Sequence, residues 1–211
     1  MAPTQNLLTD DQVRDFIING YLQVYPECPS GFHDGIYAAL ERVFEEEGGP
    51  GDSILTEVPD LRKVFEHPVT LGTLVSLLGE DYVMSREVKT RLSPPGAGFE
   101  EFKRDEQLVA RKEICRLHAF YYPQGVTKDL APTLIHPGSH YVKTTSFGDD
   151  RAQPGEPKQL VVPAGTVVLI HPALIVMQAS NSGSRNCYVL KFGFERKSTT
   201  SAEANLHLPA H

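Results

Sequence analysis

Gln159-Leu160-Val161-Val162-Pro163-Ala164-Gly165-Thr166-Val167-Val168-Leu169-Ile170-His171-Pro172 sets two β-branched runs around one Pro-Ala-Gly break. Runs of this length, rich in Val and Ile and closed by Pro and Gly, read as short strands joined by a turn. The pattern continues on both sides. Candidate strands fall at 82–92, 114–122, 132–135, 159–162, 166–170, 174–178 and 187–194, with Pro94-Pro95-Gly96, Pro123-Gln124-Gly125 and Pro137-Gly138 between them. Many short strands in one compact unit favour a sandwich or jelly roll. Residues 197–211 read as an extended or disordered tail.

Upstream of residue 81 the period changes. Leu8-Thr9-Asp10-Asp11-Gln12-Val13 is a helix start in which Thr9 caps and Gln12 reaches back. Val13, Phe16 and Ile17 share a face, and Gly20 ends the helix. Tyr21-Leu22-Gln23-Val24-Tyr25 alternates as a short strand. Ser30 is the expected cap of a second helix through Phe32, Ile36, Leu40 and Val43. Glu45-Glu46-Glu47 is its solvated end, and Gly48-Gly49-Pro50-Gly51 breaks it. Leu61, Val64 and Phe65 mark a further helix. Pro68 opens another through Leu71, Leu74, Leu77 and Leu78, stopped by Gly79. The expected organisation is a helical support over 1–80 and a β core over 81–196, together one structural domain that is mainly β.

The chain has 211 residues, 40% of them hydrophobic, and a net charge of −7 from 20 basic and 27 acidic groups. That is enough apolar content for a core, and the acidic balance speaks against a domain-wide nucleic-acid role. No apolar run approaches the ~18 residues of a membrane span. The N-terminus carries no secretory pattern, and Leu208-Pro209-Ala210-His211 is no retention address. Three scattered cysteines, Cys28, Cys115 and Cys187, form no disulfide framework, so a reducing cytoplasmic location is expected.

Eight histidines raise a metal reading, because imidazoles on several strands of a barrel can converge on one ion. No His-x-His, His-x-Asp or His-x-Glu string is present. Each histidine therefore keeps a bland alternative: turn residues (His136, His140), packed strand residues (His118, His171) or surface residues (His33, His67, His207, His211). No GxSxG, Walker A or HExxH pattern occurs. Cys187 reads as a buried strand thiol or a nucleophile, with no neighbour in sequence that would lower its pKa.

Phe120-Tyr121-Tyr122-Pro123-Gln124-Gly125-Val126-Thr127, Pro132-Thr133, Pro137-Gly138-Ser139-His140, Pro163-Ala164-Gly165-Thr166-Val167 leading to His171-Pro172, Asn181, and Tyr188-Val189-Leu190-Lys191-Phe192 together resemble the phytanoyl-CoA dioxygenase family. Leu8–Gln12 and Asn19-Gly20-Tyr21-Leu22 match how that family starts, so the resemblance spans most of residues 7–196. It implies a double-stranded β-helix, the cupin-like jelly roll. For active members it implies Fe(II) held by a His-x-Asp pair and a distant second His, with 2-oxoglutarate anchored by an Arg on the last strand.

By that resemblance the His-x-Asp pair falls at Lys103-Arg104-Asp105, the second His at Val176 and the 2-oxoglutarate Arg at Cys187. Only Asp105 is retained. A protonated Lys repels Fe(II), and Val offers no lone pair. Arg185, two residues before Cys187, could hold an acid from the same strand face. His171 could rescue the iron site only through a bulge or bend. The leading expectation is a degenerate, non-catalytic member that binds no cofactor itself and forms a hetero-oligomer with an active oxygenase paralogue, to which Fe(II) and 2-oxoglutarate belong. The shortness of the chain after the last strand, which leaves little to close a pocket, agrees with that. The alternatives are an iron oxygenase with unusual ligands, a binding protein for a small apolar ligand, and a metal-independent isomerase or cyclase. The last would use Lys103, Asp105, Tyr121 and His118 as acid/base groups if they point inward.

Overall fold

The computed structural model describes residues 6–49, 53–100, 114–141 and 156–197. Five α-helices and eight strands occur among them: α1 (Asp10–Asn19), β1 (Tyr21–Val24), α2 (Phe32–Glu47), α3 (Ile54–Glu57), α4 (Asp60–Glu66), α5 (Pro68–Leu78), β2 (Tyr82–Ser93), β3 (Arg116–Tyr121), β4 (Thr133–Ile135), β5 (Lys158–Leu160), β6 (Val167–Ile170), β7 (Val176–Gln178) and β8 (Cys187–Arg196). The capping box forms as expected: Gln12 N–H donates to Thr9 Oγ1 at 3.3 Å, and Thr9 N–H donates to the Gln12 side chain at 2.9 Å. Ser30 is not the cap of α2. Gly31 takes that place at φ +77°, with no side-chain bond to the first turn. The four-residue α3 has too few turns to show a period and was not foreseen.

The strands form two antiparallel sheets, β1-β6-β3-β8-β2 and β5-β4-β7. From β3 onward the chain passes to the smaller sheet for β4 and β5, returns for β6, crosses for β7 and returns for β8. That winding is the double-stranded β-helix. The short β1, from the otherwise helical segment, pairs with β6 and extends the larger sheet. Between the pairs Met84–Phe194 and Val88–Phe192, three residues of β2 stand against one of β8. The excess is even, so Met84 and Val88 stay on one face.

The larger sheet is covered on both sides. Tyr188, Leu190, Phe192 and Phe194 of β8 pack with Ile36, Leu40, Leu61, Phe65 and Leu74 of the helices. The alternate residues Cys187 and Val189 join Phe120, Val168 and Ile170 against Ile135, Leu160 and Val176 of the smaller sheet. Strand alternation thus divides the apolar residues into a helix-facing layer and a barrel interior.

Candidate functional site

Face parity decides what lines the barrel. Val176 opens β7 opposite Ile135, and both lie in the inner cluster. Cys187 opens β8 and joins the same cluster, fully buried. Where the resemblance expects an imidazole and a guanidinium, the interior therefore presents an isopropyl group and a thiol. Gln124 brackets the start of β8: its amide donates to the Tyr188 carbonyl at 2.9 Å and to Cys187 Sγ at 3.4 Å. Burial pushes the Cys187 thiol up to about 11, against smaller lowering effects of Arg185, Gln124 and Arg91. Val176 offers ferrous iron no donor atom, and Cys187 offers an acidic co-substrate no guanidinium. No group of three His, Cys, Asp or Glu among the described residues could hold a metal ion. Lys103 and Asp105 lie outside the described residues.

The two rescue candidates have other contacts. After β6 the chain turns at His171, where Leu174 N–H returns to the His171 carbonyl at 2.9 Å. The bend needed to redirect His171 therefore exists. His171 Nδ1 accepts the Ala173 N–H at 3.1 Å, and its ring lies 5.0 Å from that of His140. Arg185 donates to the Gly125 carbonyl at 3.1 Å and sits 5.9 Å above the ring of Tyr37 in α2, so its guanidinium addresses a helix.

The acid/base set proposed for a metal-free enzyme is split by the same parity. His118 pairs with Ile170 of the inner cluster, whereas Tyr121, three residues on, faces the helices. Its hydroxyl meets His33 Nδ1 at 2.8 Å, and burial, with Cys28 nearby, raises its pKa well above the ordinary range. The phenol stays protonated and hydrogen-bonds the imidazole, so His33 is a structural partner and not a plain surface residue. His67 is likewise engaged, accepting the Val69 N–H at the start of α5.

The interior holds a polar group that motif reading missed. Arg91 of β2 stands opposite Val189, which places it on the inner face. It reaches across to the smaller sheet, donating from Nη1 to Gln178 Oε1 at 3.3 Å and from Nη2 to the Glu100 carboxylate. Thr133 Oγ1 donates to the same Gln178 oxygen at 3.2 Å, and Tyr122 donates to Thr133 at 2.9 Å. Gln178 completes the set by donating to the Ala131 carbonyl. The strands β2, β4 and β7 thus meet, with Tyr122 just past β3, in one chain of hydrogen bonds. Tyr122 and Thr133 stood in the motifs; Arg91, Glu100 and Gln178 did not.

In three dimensions the chain is similar to HygX from Streptomyces hygroscopicus with nickel and 2-oxoglutarate bound (TM-score 0.71, 15% identity, 90% of this chain and 88% of that one). It is also similar to SnoK, a non-haem α-ketoglutarate-dependent carbocyclase from nogalamycin biosynthesis (0.68, 19%, 98% and 93%). SnoN, the corresponding epimerase, aligns at 0.70 with 15% identity over 89% of this chain and 82% of that one. The fold is that of the non-haem iron, 2-oxoglutarate-dependent enzymes. No protein-family model and no curated protein sequence matches the chain. No helix of the described residues is long and apolar enough to cross a membrane.

Proposed function

We propose that this chain is a non-catalytic relative of the phytanoyl-CoA dioxygenases, a pseudoenzyme that supports an active oxygenase paralogue in small-molecule oxidation. One observation carries the reading. Val176 and Cys187, at the starts of β7 and β8, are buried together in the inner apolar cluster. Selective loss supports it further. The capping box, the jelly-roll winding and the Gln124 bracket are intact, while three of the four groups that would bind metal and co-substrate are replaced and only Asp105 remains. Related barrels can offer related surfaces to one another, so a mixed dimer is the natural form for such a partner. Three free thiols suit a reducing, intracellular setting.

The test is anaerobic calorimetric titration of the purified chain with Fe(II), with and without 2-oxoglutarate, followed by assay of an active paralogue with and without this chain. The expected result is no stoichiometric iron binding and a change in the paralogue's activity or stability. One-to-one iron binding tightened by 2-oxoglutarate, or a paralogue indifferent to the added chain, would overturn the reading.

A further inference from the structure

An exposed helix face is ordinarily built from Lys, Glu or Ala, because an isoleucine there lowers helix propensity and leaves apolar surface in water. The outer face of α1 departs from that rule. Phe16 is the one buried residue of the helix and anchors it to the helix-facing layer. Asp11, Arg14 and Ile18 lie on the opposite side: at about 3.6 residues per turn they fall within about 60° of one another and point away from Phe16. Ile18 is 54% exposed. Ile17 and Tyr141 stand exposed beside it, the Tyr141 hydroxyl donating to the Ile17 carbonyl at 2.7 Å. At the other end Leu8 packs on the core, its N–H donating to Ser76 Oγ at 2.9 Å, and Leu7 is 47% exposed. Single exposed apolar side chains need no explanation. An apolar group at each end of one helix face, with an acid and a base between them, does.

The pattern is self-complementary. In a two-fold dimer, residue i meets residue j of the partner, and j meets the partner's i. An axis crossing α1 level with Gln12 and Val13 runs a second α1 antiparallel to the first. A rise of about 1.5 Å per residue then puts Asp11 level with the partner's Arg14, and Arg14 level with the partner's Asp11. The exposed Leu7 of each copy comes to the Ile17, Ile18 and Tyr141 end of the other. A parallel arrangement would instead set acid against acid and base against base. Within one chain Arg14 and Asp11 pair at 2.8 Å with both side chains well exposed, and an isolated pair of that kind adds little stability. Across the axis the two pairs become one four-charge network, and the apolar ends leave water.

We infer that the outer face of α1 is a self-association surface whose occupant is a second copy of this chain, docked antiparallel with Asp11 against Arg14. A single three-turn helix pair is small for a specific interface, so the dimer is a weak one, with a dissociation constant on the order of 10–100 μM. The inference stands apart from the non-catalytic reading, because nothing in it depends on what the barrel binds.

Sedimentation velocity of the full chain over a concentration series is expected to show a reversible monomer–dimer equilibrium. Asp11→Arg alone, and Arg14→Asp alone, turn both cross-axis pairs into like charges, and each is expected to weaken the dimer about tenfold or more. An equimolar mixture of the two variants restores opposite charges at both pairs and is expected to dimerise as the wild type does. So is the chain carrying both substitutions. Rescue on mixing is the deciding readout, because a merely local effect of either substitution on α1 would persist in the mixture. Ile18→Asp is expected to weaken the dimer comparably. Circular dichroism checks that each variant is folded, and if a charge variant is not, Ile18→Asp carries the test. A wild type that stays monomeric at every concentration overturns the inference. So does a dimer that Ile18→Asp leaves unchanged, or a pair of folded charge variants that do not rescue each other.

Discussion

Replacing Thr133 by Val should cost more than replacing both Thr133 and its donor Tyr122. Thr133 is the middle of the interior chain: it accepts from Tyr122 at 2.9 Å and donates to Gln178 at 3.2 Å. Tyr122 and Thr133 are essentially fully buried. Tyr122→Phe removes one bond and leaves only an acceptor lone pair unfilled, at a cost of about 1 kcal/mol. Thr133→Val keeps the side-chain shape but removes two bonds and strands the Tyr122 hydroxyl, a buried donor with no partner. The two lost bonds and the stranded donor cost roughly 2–4 kcal/mol. Gln178 remains held by Arg91, so the loss stops at that residue. In the double variant nothing is stranded, and its cost should return to about 1–2 kcal/mol because both partners are now apolar. The double variant should therefore be more stable than Thr133→Val alone by about 1–2 kcal/mol. Urea unfolding followed by circular dichroism reads this as a higher midpoint with an unchanged slope. A double variant no more stable than the Thr133→Val single would show that the hydroxyls are not coupled, and the chain drawn through the barrel would be wrong.

Two further outcomes follow from single contacts. Gly20 ends α1 at φ +78°, and a Cβ there would lie 2.5 Å from His140 Nδ1 and 2.7 Å from Leu174 Cδ1. Gly20→Ala should cost roughly 2–4 kcal/mol from backbone strain and overpacking together, seen in calorimetry as a melting point lower by roughly 5–15 °C. His33 is held neutral: burial lowers its pKa, Asp34 opposes this, and its Nδ1 hydrogen-bonds the protonated Tyr121 hydroxyl. The unfolded chain then takes up the proton first, so the stability His33 contributes is complete above its ordinary value of about 6.5 and fades as pH falls through the lowered folded value. The gap in urea midpoint between wild type and His33→Gln should be wide at pH 7.5 and narrow at pH 5.5; a gap that widens on acidification refutes the assignment.

Most strands were legible because local composition and position agree. Tyr82–Ser93, Arg116–Tyr121 and Thr133–Ile135 fall within two residues of the expected ranges, since Pro and Gly close each run and leave little freedom at its ends. The cap of α2 was misread for a physical reason. A serine is the usual N-cap, but Gly31 at φ +77° turns the chain one residue later, and a left-handed turn is not encoded in a side-chain type. The spacing from His171 that singles out Val176 and Cys187 runs along one segment, and both residues open strands and lie in the inner cluster.

The Arg91 chain was not legible, and the cause lies in the architecture. Along β2 the alternation of Val88 and Leu92 with Lys89 and Arg91 reads as one buried face and one solvated face, the usual pattern for an antiparallel strand. That reading holds when a sheet has one covered side. Here the larger sheet has two: Val88 and Leu92 meet the helices, and the opposite face meets the smaller sheet. A charged residue at an alternate position is then aimed into the barrel, and its partners must come from elsewhere in the fold. Gln178 lies 87 residues along the chain, so no window of sequence contains both. Glu100 is only nine residues away, but the intervening segment leaves the larger sheet and bridges to β7 before the carboxylate returns. The pairing of Arg91 with Glu100 is thus a product of the two-sheet closure.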